Sequence, residues 1–147
     1  VSGATWLGER RIDTLRPSAD TAQKDWTPDT GTDNYSRVNE TPINGDTSYV
    51  TAATVGNKDR YALNDLPINP VTVAAVQALV VARKDDAVTR AIAPVIKSGA
   101  TEAVGDDFGL ASGYGAALKI FETDPNTSSA WTTSGVNALE AGMTVTV

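Results

Sequence analysis

The amino-acid sequence predicts an all-β fold: an antiparallel β-sandwich of jelly-roll type with one short helix near the C-terminus. Three observations lead there. Threonine occurs 19 times in 147 residues, and β-branched side chains favour strands over long helices. About eight short stretches of alternating or mainly apolar character are separated by Gly, Pro, Asn and Asp clusters, the punctuation of antiparallel sheets. A chain of this length also hides roughly two thirds of its accessible surface in one core. A single domain over residues 1–147 therefore needs no covalent staple.

The first strand is expected over residues 6–15, where Trp6, Ile12 and Leu15 are apolar anchors around Glu9, Arg10 and Arg11; Arg16-Pro17-Ser18 ends it. Residues 19–34 read as a long polar loop, rich in Asp, Thr and Gly, with Trp26 as its one large apolar residue. A short strand follows over 35–38. Asn44-Gly45-Asp46 supplies a turn before a strand over 47–51. A second turn over 56–59 leads to alternation over 60–66, with Tyr61 and Leu63 on one side.

Residues 71–83 are the strongest segment. Val71, Val73, Ala75, Leu79 and Val81 lie on one face, and Ala74, Val76, Ala78, Val80 and Ala82 on the other. Two apolar faces predict a central strand covered on both sides. Ala74, Ala75 and Leu79 would also suit a helix, but the preceding Pro70 and the valines favour the strand. Lys84-Asp85-Asp86 turns the chain into a returning strand over 89–97. Its Pro94 marks an edge or a bulge unless the partner leaves position 94 unbonded. Strands over 101–104 and 114–121 follow, separated by Gly105-Asp106-Asp107 and closed by Asp124-Pro125-Asn126. Thr132 or Thr133 caps a short helix over 136–139, Gly142 ends it, and 143–147 is the closing strand.

Composition removes most chemistry. There is no cysteine and no histidine, so thiolate metal sites, cysteine nucleophiles and the usual neutral-pH acid/base are excluded. Twelve basic against 18 acidic residues leave a net charge of −6; with the cations scattered, neither nucleic acid nor a membrane surface is an expected partner. No stretch approaches the roughly 18 apolar residues of a membrane span. The adjacent pairs Asp85-Asp86 and Asp106-Asp107 sit in expected turns and lack the opposed geometry of a glycosidase. Asp124, Asn126 and Thr127, or Asn44 and Asp46, could offer oxygens to calcium, but Asx-turns use the same residues. The glycines from Gly105 to Gly115 lack the Gly-Lys-Ser/Thr of a phosphate loop. No catalytic residue, metal site or cofactor is expected, and the chain reads as non-enzymatic.

Aromatic residues remain as candidates. Trp26, in its polar segment, leads a group with Tyr35 and Tyr49 as contacts for a protein interface or a glycan. Trp131 is expected to anchor the helix, and Arg83 to pair locally across the 84–86 turn.

Several stretches then add up. They include Trp6-Leu7-Gly8 with Arg11 and Leu15, Trp26-Thr27-Pro28, Gly45-Asp46-Thr47-Ser48-Tyr49-Val50, Gly56 with Lys58-Asp59, and Asp65-Leu66-Pro67. After them come Val76-Gln77 with Ala82-Arg83-Lys84-Asp85-Asp86, Glu122-Thr123-Asp124-Pro125-Asn126-Thr127, Ala130-Trp131-Thr132, and Val136-Asn137-Ala138-Leu139-Glu140-Ala141-Gly142. In this order the chain resembles a family of tailed-bacteriophage virion structural proteins, over nearly its whole length. The resemblance implies a C-terminal β-sandwich domain of a longer virion protein, in keeping with a sequence that opens on Val1. It implies a particle component, such as a capsid decoration, head-fibre or tail-associated domain. The expected localisation is the virion, and the expected partners are other virion proteins, with a homo-oligomer among the arrangements. Small Ala116-Ala117 departs from the larger residues usual there. The alternative function is a carbohydrate-binding module of a phage appendage that contacts host-surface glycans.

Overall fold

Alternating side chains over residues 58–63 and 140–145 place two strands side by side at the centre of the molecule. The computed structural model describes residues 11–68 and 72–147. Among these, the strands are β1 (Pro17–Lys24), β2 (Thr27–Pro28), β3 (Val50–Thr51), β4 (Lys58–Leu63), β5 (Val76–Ala82), β6 (Ala91–Ser98), β7 (Thr101–Val104), β8 (Phe108–Gly109), β9 (Gly115–Phe121) and β10 (Glu140–Val145). One short helix, α1 (Thr133–Asn137), precedes β10. The fold is all-β and antiparallel. Its main sheet runs β1-β4-β10-β6-β7, with β8 also on β6; β5 pairs with β9, and β2 with β3.

Register divides the main sheet into two unlike faces. Gly142 of β10 lies opposite Arg60 and Val95, and Glu140 lies opposite Lys97. That face carries Lys58, Arg60, Lys97, Glu102 and Glu140. The other face carries Asp59, Tyr61, Ala141, Met143, Ile92 and Ile96, by strand alternation. The β5–β9 pair and α1 pack over it: Ala78, Ile96, Trp131, Val136 and Leu139 form a buried cluster, with Leu63, Val76 and Phe121 against it. Trp131 anchors the helix as expected, its indole N–H donating to the Phe121 carbonyl at 2.8 Å. Thr132 is the helix cap, its hydroxyl accepting from the Gly135 N–H at 3.0 Å.

Several sequence expectations need correction. Of the strand expected over 6–15, residues 6–10 lie outside the described residues, and 11–15 are not in a strand. The polar loop expected over 19–34 instead begins inside β1. Polar residues form this strand because it lies at the sheet edge, where one row of bonds to β4 suffices; Thr21 Oγ1 adds one to the Arg60 carbonyl at 2.8 Å. Tyr35–Arg37 is a 3-10 turn, not a strand. The 71–83 strand is shorter, β5, and is not central (Val71 and Pro70 lie outside the described residues). It pairs with β9 alone, which leaves it a free edge, and one of its faces, carrying Gln77 and Leu79, is open. The strand covered on both sides is β6, buried from Ala91 to Ile96.

Pro94 shows how a proline fits there. Its carbonyl accepts from Gly105 N–H at 2.7 Å, and in an antiparallel ladder a residue's N–H and C=O point the same way. The missing donor therefore faces the break between β7 and β8, where the ladder has no bond to lose. Gly142 is not a helix stop but a ladder residue of β10. A Cβ there would stand 1.9 Å from the Asp59 carbonyl oxygen. Gly142→Ala is expected to cost about 3 kcal/mol or more through backbone displacement, whereas Gly109→Ala, which meets nothing within 4 Å, should stay within about 1 kcal/mol. Urea titration of both variants checks this; equal midpoints would refute the close approach.

Candidate functional site

The alternation that puts Tyr61 and Leu63 inward also puts Asp59 inward, on the side covered by residues 25–35. Asp59 and Asn34 are both fully buried. Asp59 Oδ1 accepts from the backbone N–H groups of Asp25 (2.7 Å) and Trp26 (2.8 Å). Its Oδ2 accepts from Asn34 Nδ2 (2.6 Å) and from the Tyr61 hydroxyl (2.8 Å). Asn34 Nδ2 also donates to the Trp26 carbonyl at 2.8 Å. Burial, and then the negative charge of Asp59, push the Tyr61 hydroxyl well above the ordinary tyrosine range. Asp20 of β1 continues the network by accepting from the N–H groups of Tyr35 (2.6 Å) and Asn34 (3.0 Å). Burial works against its charge, but Lys24 and these two N–H groups outweigh it and hold the carboxyl below the ordinary range. Chemically, the Asp59 and Asp20 carboxylates are acceptors met by the protein's own donors, while Asn34 Oδ1 is buried without a hydrogen-bond partner.

On the opposite face, cations and carboxylates form a lattice across four strands. Arg60 Nη1 meets Glu102 at 2.5 Å and its Nε meets Glu140 at 2.9 Å; Lys97 joins Glu140 at 3.3 Å, and Lys58 pairs with Glu102. Gly142 helps to make room, since it lies between Arg60 and Val95 with no side chain of its own. Burial alone would raise the Glu140 carboxyl, but the bonds from Arg60 and Lys97 hold it below its usual range.

The three candidate aromatics are dispersed. Trp26 is half-buried, its indole N–H directed to the Asn57 carbonyl at 3.3 Å. Tyr35 is half-buried in the turn fastened to Asp20. Tyr49 is 44 % exposed beside β3. Trp26 and Tyr49 line a cleft of about 1030 Å³ that does not include Tyr35.

The carboxylate pairs are exposed: Asp86 accepts from Arg90 and Asp106 from Lys119. Asp124 Oδ1 accepts from Asn126 N–H at 2.8 Å in an Asx-turn, and Asn126 Oδ1 accepts from Ala100 N–H and the Thr101 hydroxyl. No cluster of three or more metal-ligating acidic residues occurs among the described residues. Nor, among them, is any helix long and apolar enough to cross a membrane. Arg83 does not pair across the local turn. Its Nε meets Asp46, 37 positions away, at 3.0 Å, and its guanidinium lies 5.6 Å from the Tyr114 ring centre. Arg11 pairs with Asp13 at 2.5 Å, while Arg10 lies outside the described residues.

No protein-family model, curated protein or solved structure matches the chain. The site is therefore defined by its own geometry. Sequence reading missed one further surface. Leu79 stands opposite Leu118 and Gln77 opposite Ile120 in the β5–β9 register, and these face away from the core: Leu79, Leu118 and Ile120 are 55 %, 53 % and 52 % exposed. The signal was the two-faced apolar pattern of 71–83, which assumed a cover on both sides.

Two measurements follow. Asp59→Ala leaves four donors without their acceptor and is expected to cost about 4 kcal/mol or more, the range of broken buried networks. Tyr61→Phe removes one donor and should cost about 1 kcal/mol; chemical denaturation that ranked them the other way would refute the role of Asp59. Because its native carboxyl is depressed, Glu140 stabilises fully above its ordinary value of about 4.5 and loses that contribution as pH falls through the lower native value. Glu140→Gln should lower the melting temperature at neutral pH and flatten its decline in acid. An acid limb as steep as the wild type's would contradict the lattice.

Proposed function

We propose that the chain is a non-enzymatic structural component of a bacteriophage particle, an exposed capsid-decoration or head-fibre domain that works in the virion by packing against other virion proteins. The observation that carries this reading is the outer face of β5–β9. Three large apolar side chains stand on it, each more than half exposed, in a chain of net charge −6. Contiguous apolar surface of this kind marks protein contact. The main sheet's outward charges, by contrast, are already paired with one another and make no comparable demand for a partner. The likeness of the ordered motifs to virion proteins points the same way.

The finer fold reading is a jelly-roll sandwich. It is supported by the nesting of the last strand, β10, between β4 and β6 while β5 pairs with β9, a pattern suited to paired Greek keys. A carbohydrate-binding appendage is the second reading, favoured by Trp26 and Tyr49 lining one cleft.

Cryo-electron microscopy of the particle should show β5–β9 covered by a neighbouring protein. Leu79→Lys with Leu118→Lys should abolish incorporation while leaving the melting temperature within a few degrees, because both sites are exposed. Absence of the chain from purified virions overturns the proposal. Binding in a glycan-array titration that is lost with Tyr49→Ala would transfer the assignment to the second reading.

A further inference from the structure

Residues 38–53 carry little ladder of their own: a 3-10 turn at Gly45–Thr47 and the two residues of β3. Contacts within the segment nevertheless make it a unit. Asn44 Nδ2 donates to Glu40 Oε1 (3.2 Å) and to Ser48 Oγ (2.9 Å), and Ser48 Oγ also bonds Glu40. One end is tied to the main sheet's side of the molecule, where Arg16 Nη1 donates to the Glu40 carbonyl at 2.8 Å. The other end is held by β2 and by Arg90 Nη1, which donates to the Ala53 carbonyl at 2.8 Å.

The middle reaches the β5–β9 sheet through Asp46. Gly45 takes φ +62°, a left-handed turn, and Asp46 Oδ1 then accepts from the Tyr114 hydroxyl at 2.6 Å and from Arg83 Nε at 3.0 Å. Val38, Ile43 and Tyr49 of the segment and Leu63, Val80 and Ile92 of the two sheets line the cleft of about 1030 Å³, with Ile43 and Tyr49 also reaching solvent.

We propose that residues 38–53 are a strap across this cleft, latched by Asp46 to Arg83 and Tyr114, and that release of the latch uncovers an apolar interior. The strength of each part favours movement at this point. The Asp46 side chain is 64 % exposed and Arg83 31 %, so water and salt compete with the latch. Ile92 on the wall below belongs to β6, buried from Ala91 to Ile96, and such a strand opens only with the whole fold. The strap moves as a body because its Glu40, Asn44 and Ser48 bonds travel with it.

Hydrogen exchange and binding of the apolar dye ANS, measured on the full chain, test the device. Asp46→Ala should speed exchange of amides in 38–53 by about fivefold or more, the effect of losing an interaction of this class, with β6 and β10 unchanged. Dye fluorescence should rise in parallel. Tyr114→Phe, which keeps the ring and Arg83, should give the same pattern at smaller amplitude. Unchanged exchange in 38–53 overturns the latch. Faster exchange without added dye binding overturns the strap's role as a cover. Acceleration that spreads to β6 and β10 reassigns Asp46 to general stability and also overturns the proposal.

Discussion

The carboxylate of Asp59 is the constraint on which the rest of the structure depends. A fully buried acidic side chain is costly to desolvate, and here four donors from three separate places offset that cost: the 25–26 backbone, Asn34 and Tyr61. The bonds to charged acceptors are the stronger kind. They fix residues 25–35 over the inner face of the main sheet. The same residue also sets the sheet's spacing, since its carbonyl oxygen lies where a side chain on Gly142 would have to go. Side chain and backbone of one residue thus join a loop to a sheet and two strands to each other. Asp20 extends the arrangement by capping the turn that presents Asn34.

From this centre the two faces of the main sheet take different roles. On the inner face, Ile96 packs with Ala78 of β5 and with Trp131, Val136 and Leu139 around α1. On the outer face, the carboxylates of Glu102 and Glu140 bridge Lys58, Arg60 and Lys97, so charge repulsion between adjacent cations is removed locally. Exposed single ion pairs contribute little, but these share partners across four strands and are mostly covered, with Arg60 only 13 % exposed in its side chain. The charges of the outer face are therefore met within it, and three of the exposed large apolar side chains, Leu79, Leu118 and Ile120, stand together on β5–β9.

What could be read from the sequence was whatever short-range chemistry decides. β7 was expected at its observed limits because Gly99, at φ +54°, and Gly105 punctuate it. A threonine cap, Thr132 or Thr133, was expected because an oxygen just before the helix satisfies a free N–H, and Thr132 is the one that does so. The errors came from partners distant in sequence. β1 is polar and looked like a loop until β4 gave it an edge position. The 71–83 segment looked central because both its faces are apolar, yet only one is covered. Asp59 was assigned to a turn; taking the alternation of Tyr61 and Leu63 one step further back would have placed it inside. Asp46 and Arg83 were each noted, but nothing local could show that they meet over Tyr114. Of the candidate aromatics, Trp26 and Tyr49 share a cleft, while Tyr35 serves the Asp20 turn.

Topology also narrows where another protein can add to this fold. Both edges of β10 are used by β4 and β6, and both edges of β6 by β10 and by β7 with β8. The edges left among the described strands are those of β1, of β7 and β8, of the two-residue strands β2 and β3, and of the β5–β9 pair. At β1 the side chains are polar, which discourages strand addition. The β7 edge adjoins the charge lattice through Glu102, so a newcomer there would have to accommodate ion pairs already formed. The β5–β9 pair differs in having two free edges and an apolar outer face at once. A neighbour there can gain ladder bonds and bury Leu79, Leu118 and Ile120, which face away from the core. The residues that look least finished in the isolated domain are thus the ones whose covering disturbs its internal order least.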